Sequence, residues 1–145
     1  QYADLSGEGG RVAAGRWHHL GRRVVYLAEH PALALLETLV HLEIDPEDTP
    51  ARFRLLGVDV PDAVAVGALS EAELDARHSG WRRDIEVTRR LGNAFLAARS
   101  TALFKVPSVL VPEAGNVLLN PDHADPARAT ITSDRLVDFD QRLLR

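Results

Sequence analysis

The sequence predicts a single α+β domain, and three observations lead there. Its 145 residues are 46% apolar and 26% charged, the balance of an ordinary globular chain long enough to bury a core. Runs rich in β-branched and aromatic residues are short and unevenly spaced. Two or three helical patterns fall between them, as in a mixed α+β domain. No internal repeat or low-complexity segment interrupts this order.

Taken along the chain, residues 1–14 are small and polar, with Gly7, Gly9 and Gly10 in the run SGEGG. Backbone N–H groups there could face a phosphate. The strand–glycine–helix context of a dinucleotide fingerprint is missing, so a flexible loop is expected. Val24, Val25 and Tyr26 read as a short buried strand. Pro31 suits the first turn of a helix, where its missing N–H costs nothing. Leu33, Leu35, Leu36, Leu39, Val40 and Leu42 make that helix apolar nearly all round, which predicts burial.

Residues 44–50, IDPEDTP, are a turn rich in breakers. Residues 52–60 alternate polar and apolar well enough for a strand ended by Pro61. Residues 63–69 are small and apolar. Ser70 with Glu73 resembles a capping box opening a helix over 71–77. A linker holding Gly80 leads to an amphipathic helix over 84–99, with Ile85, Thr88, Leu91, Phe95 and Leu96 on one side. Arg82, Arg83, Arg89 and Arg90 lie elsewhere and read as a solvated face. Residues 102–112 read as two short strands joined through Pro107 and Ser108. A strand over 116–120, a turn at Asn120–Pro121–Asp122–His123, a strand over 129–132 and a strand-like tail over 135–140 complete the chain.

The net charge of −4 and a pI near 5.8 argue against charge-driven nucleic-acid affinity. Every apolar run is cut by charge, Gly or Pro before it reaches the length of a membrane span, and no signal peptide is visible. The absence of cysteine rules out a disulfide, a thiolate metal site and a thiol nucleophile, and fits a cytoplasmic chain. His18 and His19 are adjacent, so their side chains diverge on a strand. No HExxH or other close ligand spacing exists, and no metal is expected. The chain opens at Gln1 and contains no methionine, so it is expected to lack a few residues at its start.

Glu37 is the sharpest anomaly, a carboxylate between Leu33 and Val40 on an apolar helix. Such a group is costly to desolvate unless it meets a cation, a hydrogen-bond donor or a ligand. It reads either as one half of a buried ion pair, with His41 one turn on as a partner, or as a carboxylate acting on a substrate. Arg16 is either that structural partner or a clamp for phosphate or carboxylate, and Arg11 could converge with it. Tyr26, at a strand end, is either core or a surface on which a planar ligand stacks. Ser108 lacks the glycines of a nucleophile elbow and suits a hydrogen-bonding role better. His123 is by default a turn residue.

Together these residues resemble the RES domain family, the toxins of RES–Xre toxin–antitoxin systems. The resemblance rests on SGEGG…GRW at residues 6–17, VVY at 24–26, ALALLETLVHLE at 32–43, LGNAFL at 91–96, VPSVLVP at 106–112 and N-x-L-x-NPDH at 116–123. The pieces are individually unspecific, and their order and spacing carry it over most of the chain. The family's arginine, tyrosine, glutamate and serine fall on Arg16, Tyr26, Glu37 and Ser108.

The resemblance implies an ADP-ribosyltransferase-like fold, with two small mixed sheets forming a cleft for NAD flanked by helices. It implies a toxin that cleaves NAD or transfers its ADP-ribose and so arrests growth. An Xre-type helix-turn-helix antitoxin would occlude the cleft, promoter DNA would be bound only through that antitoxin, and the toxin would be a homodimer. The family's usual arginine-bearing strand before the SGEGG-like segment is not in the chain, which fits the expected truncation. On this basis Glu37 would stabilise an oxocarbenium-like ribose. Arg16 would hold the pyrophosphate or orient Glu37, Tyr26 would stack on nicotinamide, and Ser108 would position the nicotinamide end or Glu37. A transferase acting on a cellular target and a non-catalytic antitoxin-binding module are the alternatives.

Overall fold

The computed structural model describes residues 4–41, 52–125, 128–138 and 140–144; the expected turn over 44–50 lies outside the described residues. In order, the elements are a one-turn helix α1 (Gly9–Val12), β1 (Val25–Ala28), α2 (Pro31–His41), β2 (Arg52–Asp59), β3 (Val66–Ala68), α3 (Glu71–Arg77), α4 (Ile85–Ala98), β4 (Leu103–Pro107), β5 (Gly115–Leu119) and β6 (Thr130–Asp138), with a 3₁₀ turn at Gln141–Leu144. None of the described helices is long and apolar enough to cross a membrane.

Four strands form one mixed sheet in the order β1-β5-β4-β3, antiparallel except for the parallel β3–β4 pair. β2 and β6 form a separate antiparallel ribbon, bulged between Gly57 and Val58. The α+β class with two small sheets is therefore as expected.

Register decides which side chains share a face of the larger sheet. Tyr26 lies opposite Leu118, Leu118 opposite Phe104, and Asn116 opposite Val106. Residues two apart point the same way, so Tyr26, Phe104, Val106, Ser108, Asn116 and Leu118 belong to one face. Val106 and Leu118 on that face pack with Trp17, Trp81, Leu74 from α3 and Phe95 from α4, and Phe95 stacks on Phe104 with centroids 4.8 Å apart. Leu103 and Leu119 point the other way, into a smaller cluster with Val64 and Ala102.

Local chemistry sets the helix ends. Ser70 Oγ accepts the Glu73 N–H while the Glu73 carboxylate accepts the Ser70 N–H, the capping box read from the sequence. Asp84 caps α4 by accepting the Glu86 N–H at 3.0 Å, and Arg99 ends it in the left-handed conformation at φ 49°. Ser70→Ala is expected to cost about 1 kcal/mol, the usual worth of an N-cap. Thermal melting would read this as a loss of roughly 3 °C for a domain of this size.

Four expectations are corrected. Residues 7–12 hold a turn of helix where a loop was expected, closed by Gly10 N–H donating to Gly7 C=O. Among the described residues of α2 only Leu33 is buried, while Leu36 is 42% and Val40 61% exposed; one face packs and the other does not. A single strand, β4, replaces two around Ser108. The Ser108 hydroxyl takes the N–H groups of Leu110 and Val111 at 3.1 Å each, turning the chain away from a second ladder. Residues 130–138 form one continuous strand pinned by Arg52–Asp138 and Arg54–Asp134 pairs across the ribbon. Two of the four arginines read as a solvated face are tied in as well. Arg82 pairs with Glu71 and Asp75 and lies over the Trp81 ring, and Arg89 donates to the Gly15 carbonyl at 3.0 Å.

Candidate active site

The site is built where α2 meets one end of the larger sheet. His30 starts α2 by accepting the Ala32 N–H on Nδ1 and the Ala34 N–H on its carbonyl. Two turns later Glu37 reaches Ser108 and Asn116, which the register has already placed on the same sheet face. Both donate to one oxygen: Ser108 Oγ–H to Oε1 at 2.8 Å and Asn116 Nδ2–H to Oε1 at 2.6 Å. Oε2 accepts no hydrogen bond from any described residue. The carboxylate is thus oriented through one oxygen and left with the other.

Ser108 is 1% exposed and works as a relay. Its oxygen accepts two backbone N–H groups while its proton goes to Glu37, which polarises the hydroxyl toward the carboxylate. Ser108→Ala would strip one donor from Glu37 and the acceptor from two backbone amides. Chemical denaturation is expected to read a loss of about 1–3 kcal/mol.

Arg16 forms no ion pair with Glu37 within 4.0 Å among the described residues. Its Nη2 donates to the carbonyls of Trp81 and Arg82 at 3.1 and 2.6 Å, so the loop before α4 fixes the guanidinium. Its Nε is buried without a partner among the described residues. Burial pushes the Arg16 guanidinium down from its ordinary value, and the charge of Glu37 partly offsets this, which places the two in electrostatic reach. Glu37 and His41 form no pair either. Arg11 sits in α1, 3.6 Å from Glu8, and is not drawn to Arg16.

Tyr26 is 41% exposed, yet its hydroxyl is engaged inward. The Trp17 N–H donates to it at 3.0 Å, and His18 Nδ1 lies 2.8 Å away. Burial pushes the phenol well above its ordinary value, opposed by the Trp17 N–H and by Arg89. The hydroxyl therefore stays protonated at any physiological pH. The adjacent histidines do diverge: His18 turns inward to Tyr26, and His19 outward to Glu86 and Asn93.

Glu37 thus bonds Ser108 directly and lies within electrostatic reach of Arg16 and Tyr26. Asn116 and His18 also reach this constellation, and the sequence assigned neither of them a site role. Asn116 carried a signal, a polar residue on an otherwise apolar strand. His18 had only its place two residues after Arg16. A concave surface lined by Glu29, Lys105 and Glu113 contains none of these residues.

Chemically, the described residues offer a carboxylate oxygen with no partner among them, a cation and a protonated phenol ring, and none of them is an activated nucleophile. That set suits stabilisation of a developing positive charge better than covalent attack.

Comparison with known proteins gives a concordant result. The RES domain family profile matches residues 1–140. "Toxin Res" of Pseudomonas putida is 51% identical over 130 residues, covering 90% of this chain and 86% of that protein. "Prs ADP-ribosylating toxin" of a Sphingobium strain is 38% identical, covering 98% and 88%. The crystal structure of the M. tuberculosis MbcT–MbcA toxin–antitoxin complex contains a chain that superposes with a TM-score of 0.68 at 22% identity, over 98% of this chain and 80% of that one. That similarity is one of fold.

Proposed function

The chain belongs to the RES domain family, and from that premise we propose that it is the toxin of a toxin–antitoxin pair that binds NAD and cleaves its nicotinamide–ribose bond. The observation that supports this most is Glu37, held through Oε1 by Ser108 and Asn116 while Oε2 has no partner among the described residues.

In the reaction the C–N bond between ribose C1 and the pyridinium nitrogen breaks and its electron pair leaves with nicotinamide. The leaving group was cationic in NAD, so it departs neutral and needs no proton donor. Positive charge moves to the ribose as an oxocarbenium ion, as in glycoside cleavage. The free oxygen of Glu37 stabilises that charge or accepts a ribose hydroxyl. Water adds to C1 and releases a proton, giving ADP-ribose. Arg16 contributes a fixed cation for the pyrophosphate, and Tyr26 a ring for stacking on nicotinamide. No step calls for a metal.

Transfer of ADP-ribose to a macromolecule is the second reading, favoured by the 38% identity to a relative named as an ADP-ribosylating toxin. Both readings place the work in the cytoplasm, where NAD is available. A helix-turn-helix antitoxin of the Xre type would cover the site and carry the pair to promoter DNA, and a second toxin copy would complete a homodimer.

The test is incubation of the antitoxin-free chain with NAD labelled in its adenylate half, quantifying nicotinamide and free ADP-ribose. Equal release establishes a glycohydrolase. Nicotinamide without free ADP-ribose, with label in macromolecules, establishes transfer. Intact NAD with a folded chain leaves a non-catalytic antitoxin-binding module.

A further inference from the structure

The hydrogen bonds around Tyr26 fix the direction of each proton. The Ala13 carbonyl, 3.0 Å from His18 Nε2, can only accept, so Nε2 carries the hydrogen. The neutral imidazole then offers its Nδ1 lone pair to Tyr26, 2.8 Å away. Since the Trp17 N–H already donates to the Tyr26 oxygen, the phenol proton is free to go to His18. Every group in the chain Tyr26–His18–Ala13 is satisfied in one orientation only.

The surroundings preserve that orientation. His18 is 2% exposed, and burial holds its imidazole below the ordinary histidine value against the opposing pull of the Ala13 and Gly10 backbone, with Arg89 and His19, the charged or titratable neighbours that act on it, pushing the same way as burial. A Cβ on Gly15 would stand 2.6 Å from the Tyr26 hydroxyl and 2.9 Å from His18 Nδ1, so the pair closes over a position that only glycine leaves open.

We propose that His18 is a positioning residue for ligand binding: by accepting the Tyr26 hydroxyl it locks the phenol as a planar platform that presents its ring, and not its hydroxyl, to the site. This rests on the NAD reading above. Its consequence is that Tyr26 contributes stacking to nicotinamide and no proton to the reaction, in keeping with a leaving group that departs neutral.

The first arm of the test reads the imidazole tautomer by ¹⁵N NMR of the whole chain. The expected state is Nε2–H with an unprotonated Nδ1 that receives a hydrogen bond, and an Nδ1–H state overturns the proposal. The second arm is kinetic. His18→Leu, which removes the acceptor at similar volume, is expected to raise KM for NAD about tenfold, the upper worth of an aromatic stack. Its kcat should stay within about threefold, because stacking is shared by ground and transition states. His18→Asn, whose amide oxygen falls near the Nδ1 position, should restore KM to within about threefold of wild type.

The His18→Leu/Tyr26→Phe double variant should be no worse than Tyr26→Phe alone, since the phenylalanine already lacks the bond that His18→Leu removes. Should His18→Leu fail to fold, Tyr26→Phe removes the same bond from the other side, together with the acceptor of the Trp17 N–H, and is expected to raise KM at least as much. A wild-type KM in both variants, or effects that multiply, overturns the proposal. A wild-type chain that leaves NAD intact overturns the NAD reading instead, and the tautomer is read on that sample regardless.

Discussion

Glu37→Gln is expected to lower kcat for nicotinamide release by about 10²–10³-fold, equivalent to about 3–4 kcal/mol of barrier. The substitution keeps the shape of the side chain, and its amide oxygen can still accept from Ser108 Oγ and Asn116 Nδ2, which both bind a single oxygen in the wild type. What disappears is the negative charge facing the ribose as its C–N bond breaks. KM should move by no more than a few fold, because that charge acts on the oxocarbenium and not on the bound substrate. The melting temperature should stay within about 3 °C of wild type, with the hydrogen bonds preserved. Glu37→Ala is the contrasting case, since it leaves both donors without an acceptor and adds a stability loss to the loss of turnover. A kcat for Glu37→Gln within threefold of wild type would remove this residue from the chemistry.

Much of the architecture is legible in the sequence, for reasons that differ element by element. The start of α3 is legible because capping is local chemistry, with Ser70 and Glu73 three residues apart, whereas α4 is legible from its apolar periodicity and its Asp84 cap is not. β6 was not legible as one strand because TITSDRLVD has no apolar alternation to reveal. It is held by charge pairs to Arg52 and Arg54 across the ribbon, partners about 80 residues away in sequence. The end of β4 was misread because VLVP after Ser108 has strand propensity. A single hydroxyl overrides it by capturing two backbone N–H groups. The burial of α2 was overestimated because apolar composition does not say whether a second face has anything to pack on.

The candidate site divides along similar lines. Glu37 could be found from one sequence because a carboxylate amid leucines contradicts its surroundings. Arg16, Tyr26 and Ser108 needed the family resemblance, since nothing in their immediate neighbours sets them apart. Asn116 follows from register: once Val106 lies opposite it, Asn116 and Ser108 share a face, a fact that pairing creates and composition does not hold. His18 meets Tyr26 through the fold of residues 13–26, where Gly15 and the Ala13 carbonyl decide the geometry. The sequence raised it only in setting aside a metal shared with His19.

Gly92→Ala is expected to lower the melting temperature by roughly 10 °C, about 3 kcal/mol for a domain of this size. Helix propensity alone argues the reverse, since alanine in a helix interior is worth about 0.5–1 kcal/mol over glycine. The measured sign therefore separates the two effects. A Cβ at Gly92 would stand 1.8 Å from the Trp17 carbonyl oxygen and 2.8 Å from its carbon. Both are backbone atoms that no rotamer change can move. The segment cannot easily retreat, because α4 grips it on either side. Thr88 Oγ1 donates to the Arg16 carbonyl at 2.7 Å, Arg89 Nε to the Gly15 carbonyl at 3.0 Å, and Asn93 Oδ1 accepts the His19 N–H at 3.3 Å. The added methyl sits among these bonds and must break some of them or push α4 off Trp17. Because residues 15–19 carry Arg16 and His18, the same displacement should reach the site, and kcat/KM for NAD should fall about tenfold or more even where the variant is fully folded. A melting temperature equal to or above wild type would mean that α4 moves away from Trp17 at no cost, and the close helix–backbone contact would then not be what holds Arg16 in place.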